Sequence, residues 1–385
     1  MFARIGMTAA VAATMFAGSA LAQNAITIGL SGSLTGPSSG SYAPAVEGLR
    51  LYIDKLNKAG GVGGKQINLV LQDDQGQASK AGANIKKLLT QDNASLVINA
   101  SLSATYGPMI QEVQRANIPM IFAGAVCPKE VYPPAQPLLY CTTAFAAQYD
   151  SRATLDFVKE KSGTAVKLGL VAMAIPVSRG EIDFAEGLSK EMGMQPVDKE
   201  IVPPPTPDYT PFATKLNDAA PDWVYAWAPW VTEVKTLESL RKLGWQGSYI
   251  TWAHLEAEGE LARLKDAKLY AIGANSLFNE KLPVHAEIVE AAKAANSSTN
   301  PNLMTEGWIA GLVIEAALKA ANGDPAKLQD ALSSLKVDTK GLRGGPIEWT
   351  KDNHFRTKQY YRVYRWNDGK SDIEIVKDWV GLDVK

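Results

Sequence analysis

Two cysteines, three histidines, one glycine-rich run and one pair of adjacent acids carry most of the reactive chemistry that this sequence could offer. Cys127 and Cys141 are its only thiols. A thiol nucleophile or a thiolate metal site would want a nearby histidine or Cys-x-x-Cys spacing, and neither is present. The two instead flank the proline-rich residues 128–137, so in an exported chain a disulfide stapling that loop is the expectation. His254, His285 and His354 share no metal-ligand spacing; His254-Leu255-Glu256 begins like a zinc helix, but no second histidine follows four residues on. Gly60-Gly61-Val62-Gly63-Gly64-Lys65 invites comparison with loops whose backbone N–H groups cradle phosphate. It departs in detail: Gln66 follows the lysine, Ala59 stands where the first glycine belongs, and the run leaves a helix and enters a strand. It reads as a helix stop. No Gly-x-Ser-x-Gly elbow occurs, and Asp73-Asp74, at a strand end, reads as a solvated or capping pair rather than an acid–base couple. No catalytic residue, metal or cofactor is expected.

The elements that must position any site alternate along the chain. Ile26-Thr27-Ile28-Gly29-Leu30 is a short β-branched run ending in a Gly-, Ser- and Thr-rich turn, after which Val46, Leu49, Ile53 and Leu56 recur at helical spacing. Ile67, Leu69 and Leu71 alternate as a strand. Helices at about 79–91 and 105–116 and strands at 96–99 and 120–122 continue the series, which predicts a parallel sheet with helices on both faces. The pattern restarts beyond the cysteine loop. Strands are expected at 166–172, 223–227 and 249–252, and helices at 184–192 and 234–243. A long apolar helix is expected over 304–321. A closing hairpin, 360–366 with 373–379, would turn at Asn367-Asp368-Gly369.

At 385 residues the chain exceeds one ordinary core, and its 46% hydrophobic and 21% charged composition is that of a globular protein. A formal net charge of −1 and the absence of long basic tracts argue against a nucleic-acid partner. Residues 1–22 have the form of a cleaved signal: Arg4, an apolar stretch, then Ala20-Leu21-Ala22. The next residue is Gln23 rather than Cys, so a soluble, unanchored, periplasmic protein is expected. No later stretch reaches the length of a membrane span.

Several fragments together resemble a known family. Ile28-Gly29-Leu30 through Leu34-Thr35-Gly36-Pro37, Gly48, Asn57-Lys58-Ala59-Gly60-Gly61-Val62-Gly63-Gly64-Lys65 and Gln72-Asp73-Asp74 look like the opening of branched-chain amino acid (Leu/Ile/Val) type substrate-binding proteins of ABC transporters. Asn117-Ile118-Pro119-Met120-Ile121, Asp222-Trp223-Val224-Tyr225 and Gly345-Pro346-Ile347 extend the likeness over the whole chain after the signal. The resemblance implies an α/β fold, the periplasmic binding protein type I fold, with two doubly wound parallel-sheet lobes joined by a three-crossover hinge. Lobe one would hold residues 24–144 and 276–358, and lobe two 145–275 and 359–385. It also implies a monomer that closes on one small molecule and hands it to the membrane permease subunits of an importer.

In open α/β sheets ligands sit beyond the carboxyl ends of the strands. In lobe one this selects residues 101–105 and 123–126, where Ser103 offers a hydroxyl and the N–H groups around Ala104, Gly124 and Ala125 offer an anion cradle for a ligand carboxylate. Val126 stands where amino acid binders of the resembled family place a hydroxyl. The family's ammonium-pairing acid falls on or near Ala253, with Glu256 close by. Trp227, Trp230 and Trp252 are placed at the mouth of lobe two, which points to an aromatic or apolar carboxylate; a branched-chain or other amino acid is the alternative. Trp223 and Trp245 are assigned to packing. Tyr42 matches a cleft-lining family position, and Arg179, in the loop after 166–172, could pair with the carboxylate.

Overall fold

The computed structural model describes residues 25–124 and 126–385. The expected signal at 1–22 lies outside the described residues, as does Ala125. The first part of the chain builds β1 (Ala25–Gly32), α1 (Ser39–Lys58), β2 (Gln66–Asp73), α2 (Ala78–Thr90), β3 (Leu96–Ala100), α3 (Tyr106–Ala116), β4 (Met120–Phe122) and β5 (Leu139–Cys141). These strands form one all-parallel sheet in the order β2-β1-β3-β4-β5. Every residue of β3, Leu-Val-Ile-Asn-Ala, is buried. A fully buried run of this kind, apolar apart from Asn99, suits a parallel strand covered on both faces.

The chain then forms α4 (Tyr149–Ser162), β6 (Lys167–Met173), α5 (Pro176–Glu191), β7 (Gln195–Val202), α6 (Thr210–Asp218), β8 (Trp223–Ala226), α7 (Trp230–Lys242), β9 (Ser248–Trp252), α8 (Ala257–Leu264) and β10 (Leu269–Gly273). It returns to the first sheet with α9 (Pro283–Ala294), α10 (Thr305–Ala320) and the short ribbon of β11 (Lys336–Val337) and β12 (Ile347–Glu348), and ends in β13 (Lys358–Asn367) and β14 (Asp372–Asp383). The second sheet runs β14-β13-β10-β9-β8-β6-β7. Ile28, Leu30 and Ile98 pack with Trp308, Ile314 and Trp349 in one core, while Leu155, Leu170, Tyr225, Trp252 and Tyr361 share another. The chain therefore passes between the two bodies three times, near residues 142–148, 274–282 and 349–357.

Glycine decides how closely α10 lies on the first sheet's cover. A Cβ on Gly48 of α1 would stand 2.3 Å from the Met304 carbonyl, and one on Gly307 of α10 would stand 1.7 Å from the Ala45 carbonyl. Only hydrogen side chains permit that approach.

The second sheet is parallel from β10 to β7, and the expected closing hairpin extends it: β13 pairs antiparallel with β10 and with β14. Strands joined by a short loop, as β13 and β14 are, can run only this way. The loop is residues 368–371, with Asn367 opposite Asp372 and its Oδ1 accepting from the Lys370 N–H at 3.1 Å. The helix expected over 184–192 begins at Pro176, because proline is pre-set for the first helical position and donates no N–H there. Arg179 therefore lies on a helix, not in a loop. The expected disulfide is present: Cys127 and Cys141 are bonded, closing the loop between β4 and β5.

Candidate ligand-binding cleft

Strands β1, β3 and β4 of the first sheet and β6, β8 and β9 of the second send the loops beyond their carboxyl ends toward a common cavity of about 180 Å³. From the first sheet's side it is lined by Tyr42 and Pro44 of α1, Ser103, Gly124 and Val126. From the other side come Ile175, Ser178, Trp227, Trp230 and Trp252, with Phe145 on the first crossover between them. Ser103 opens a 3-10 turn, Ser103–Thr105, just past β3. Its hydroxyl has no hydrogen-bond partner among the described residues, whereas Ser101, two residues earlier, is fully buried and donates to Asp74 at 2.7 Å. Ala104 is exposed and does not line the cavity.

Asp73 and Asp74 are structural, and Asp74 is not solvated. It accepts from Ser31, Ser33, Ser101 and the Gly76 N–H, pinning the ends of β1, β2 and β3 to one another. Asp73 accepts from the N–H groups of Leu34, Thr35 and Gln75, and these bonds, with the Thr35 hydroxyl, hold its carboxyl below the usual range despite some desolvation.

The tryptophans do two things at once. Trp227 and Trp252 belong to the second core and also present surface to the cavity. Phe145 meets Trp252 at 5.4 Å between ring centroids and Trp227 at 6.0 Å edge to face. The indole N–H of Trp227 donates to Asp150 at 3.2 Å, and the same carboxyl accepts from Tyr361 at 2.9 Å. Asp150 is fully buried; desolvation, then the neighbouring Glu181 charge, push its carboxyl well above the usual range against the bonds it accepts. Trp223 and Trp245 fill cores away from the cavity, donating to Ser162 and to the Pro221 carbonyl.

The charges at the cavity are mainly acidic. Glu256, Glu306 and His254 line it, and no Lys or Arg side chain among the described residues does. Arg179 is exposed on α5, outside the lining, because Ser178 is the residue of that turn that faces inward and bonds to the Trp227 carbonyl at 2.6 Å. His254 Nε2 lies 2.9 Å from the Ala228 carbonyl and 3.2 Å from Glu233. Burial, the largest single influence, lowers its pKa, but the charge and hydrogen bond of Glu233, the Glu256 charge and the Ala228 carbonyl together hold it above its ordinary value. Glu306 is neutralised by buried Arg343 at 2.8 Å. An anionic ligand group would thus meet N–H and O–H dipoles and the His254 ring rather than a Lys or Arg side chain.

Sequence reasoning missed Phe145, His254, Asn275 and Glu306 as lining residues. Phe145 and Asn275 stand on crossovers, where no periodicity marks a direction. His254 and Glu256 sit directly after Trp252, and that adjacency was the available signal.

Among the described residues no helix is long and apolar enough to cross a membrane, and no cluster of three or more His, Cys, Asp or Glu has the form of a metal site. The chain is 23% identical over 375 residues to the leucine-, isoleucine-, valine-, threonine- and alanine-binding protein of Pseudomonas aeruginosa, covering 95% of this chain and 96% of that one. Its fold superposes on a branched-chain amino acid ABC transporter structure from Thermus thermophilus with bound valine, at TM-score 0.79 and 18% identity, covering 92% and 96%. A Rhodopseudomonas palustris ABC transporter solute-binding protein in complex with 3,4-dihydroxybenzoic acid gives TM-score 0.78 at 18% identity, covering 94% and 98%. The family model described as periplasmic binding protein matches residues 25–371. With two wound sheets, three crossings and a cavity between their strand ends, the chain belongs to the periplasmic binding protein family and has its type I fold.

Proposed function

We propose that this protein is the extracytoplasmic solute-binding component of an ABC importer and that its ligand is a small aromatic or apolar carboxylate. On this reading residues 1–22 direct export to the periplasm. Residues 24–144 with 276–358 and residues 145–275 with 359–385 act as the two closing lobes, and the closed monomer docks on the permease subunits. The observation that carries the ligand class is the aromatic wall of Phe145, Trp227, Trp230 and Trp252, in one cavity with the Ser103 hydroxyl, which has no partner among the described residues. Rings stack on such walls, each large aromatic side chain burying ~150–250 Å². The carboxylate would face Ser103 and the amide at Gly124, where N–H dipoles favour an anion. Val126 presents no hydroxyl for an amino acid head.

A second reading has its own support. Glu256 lines the cavity without a salt-bridge partner among the described residues, and it could pair with an ammonium group. That would suit a branched-chain amino acid, as the P. aeruginosa relative's name states for that protein. Calorimetric titration of unfolded-and-refolded, ligand-free protein with benzoate, hydroxybenzoates, leucine and valine separates the two. Tight aryl carboxylate binding with weak leucine binding is expected, and the reverse order ends the aromatic assignment.

A further inference from the structure

Beneath the cleft, where the chain makes its three crossings, two arginines are buried together. Arg343 is 5% exposed and Arg356 3% exposed. Arg343 donates to the Glu306 carboxylate, to the Thr142 carbonyl at 3.1 Å and to the Asn275 side chain, so it ties the first crossing to the second. Arg356 donates to the Thr143 carbonyl and to Gln359 Oε1 at 2.7 Å, tying the first crossing to the third. In both, the terminal nitrogens are engaged and Nε has no partner among the described residues. Both line one small cavity of about 10 Å³, with Lys358 and Gln359 on its wall. That is room for a single water-sized atom.

The charges around this cavity do not cancel. Glu306 answers Arg343, and Lys358 pairs at the surface with Asp383. Arg356 has no carboxylate within ion-pair distance among the described residues. Two other buried acids have their oxygens occupied elsewhere: Asp150 accepts from Tyr361, Trp227 and the Ala146 N–H, and Glu181 from Ser151 and the Gln148 N–H. Burial, then the positive charge of Arg343, pull Arg356 down to about 9. A guanidinium at that value is still charged at neutral pH, and a buried charge is stable only when paired.

We propose that this hinge cavity is a binding site for one small monovalent anion of the chloride class, held between the Nε–H groups of Arg343 and Arg356. A neutral water would satisfy the two donors but leave the surplus charge in place. A one-atom anion answers both. Because the two guanidiniums are fastened to all three crossings, the bound anion links them at the point where the lobes turn on each other. The site is independent of which ligand occupies the cleft.

The test compares the full chain dialysed into sodium chloride with the same protein in sodium gluconate at equal ionic strength, since gluconate cannot enter a one-atom cavity. A saturable rise in melting temperature of about 2–4 °C in chloride is expected, and Arg356→Gln should abolish that difference. Crystals of the unaltered protein grown in sodium bromide provide a readout that does not depend on the variant folding: an anomalous peak is expected between the two guanidiniums. Identical melting in both salts, or density there without anomalous signal, as a water would give, overturns the proposal.

Discussion

The two rims of the cleft are made from the same unit, a parallel strand running into a loop and then a helix, and they are furnished in opposite ways. The rim of the first sheet, beside Tyr42 and Pro44, carries the small and polar groups. Ser103 and Gly124 stand over a buried hydroxyl network in which Ser31, Ser33 and Ser101 all converge on Asp74. The rim of the second sheet is large and aromatic, and two of its rings, Trp227 and Trp252, are core residues whose edges reach the cavity. On the proposed reading, a ligand that fits has two unlike ends. The difference also separates binding from stability: a side chain on the first rim can be altered with little loss of fold, while one on the second cannot.

Trp252→Ala tests that separation most severely. Removing a ring that belongs to the core is expected to cost about 3–5 kcal/mol of stability in denaturant unfolding and to weaken the best ligand by roughly 30-fold or more in calorimetry. Loss of affinity with unchanged stability would show that the ring is not a core residue. Next in size is the staple beneath the first rim. Replacing Cys127 and Cys141 together by serine should lower stability by about 3 kcal/mol, the loop-entropy value for a closure of this length. Because the bond lies behind the rim, affinity measured well below the melting temperature should hardly change.

A matched pair of serines sharpens the comparison within the first rim. Ser101→Ala removes a buried donor to Asp74 and should cost about 1–3 kcal/mol of stability with little effect on binding. Ser103→Ala should do the reverse, leaving the melting temperature alone and weakening a carboxylate ligand by roughly 2- to 12-fold. If both serines behave alike, the assignment of Ser103 to the ligand fails.

The second rim carries the pH dependence. His254 is held above its ordinary pKa by Glu233, so its charged form is favoured in the folded protein. The stability it supplies is complete below the unfolded value of about 6.5 and is lost as pH rises through the higher folded value. Wild type should therefore lose more stability between pH 6 and 8 than His254→Gln does, and parallel curves would remove the Glu233–His254 pairing from the account. The smallest effect is expected at Arg179, which is exposed and outside the lining. Arg179→Ala should change affinity less than twofold and stability by under about 0.5 kcal/mol.

Much of the first sheet was legible from periodicity, because β3 and β4 are short apolar runs and β2 alternates through Ile67, Leu69 and Leu71. The start of α5 was not. Pro176-Val177-Ser178-Arg179-Gly180 has the composition of a loop, and what makes it helical is the docking of Ser178 between the Met173 N–H and the Trp227 carbonyl. That one docking contact turns Arg179 outward and removes it from the cleft. The position of β13 and β14 beside β10 was equally hidden, since a hairpin's own sequence does not say which sheet edge it joins.

By itself the sequence determined the family, the alternation of strand and helix, the cysteine pairing and the presence of tryptophans near the second set of strand ends. These rest on residue type and spacing along the chain, and they survive without knowledge of what meets what. Tertiary structure alone decided that Phe145 stands between Trp227 and Trp252, that Glu306 reaches the cavity with its charge already answered, and that Arg343 and Arg356 share one small space at the hinge. Each of these brings together residues from separate passes of the chain, and no local pattern records a contact whose two halves lie tens or hundreds of residues apart.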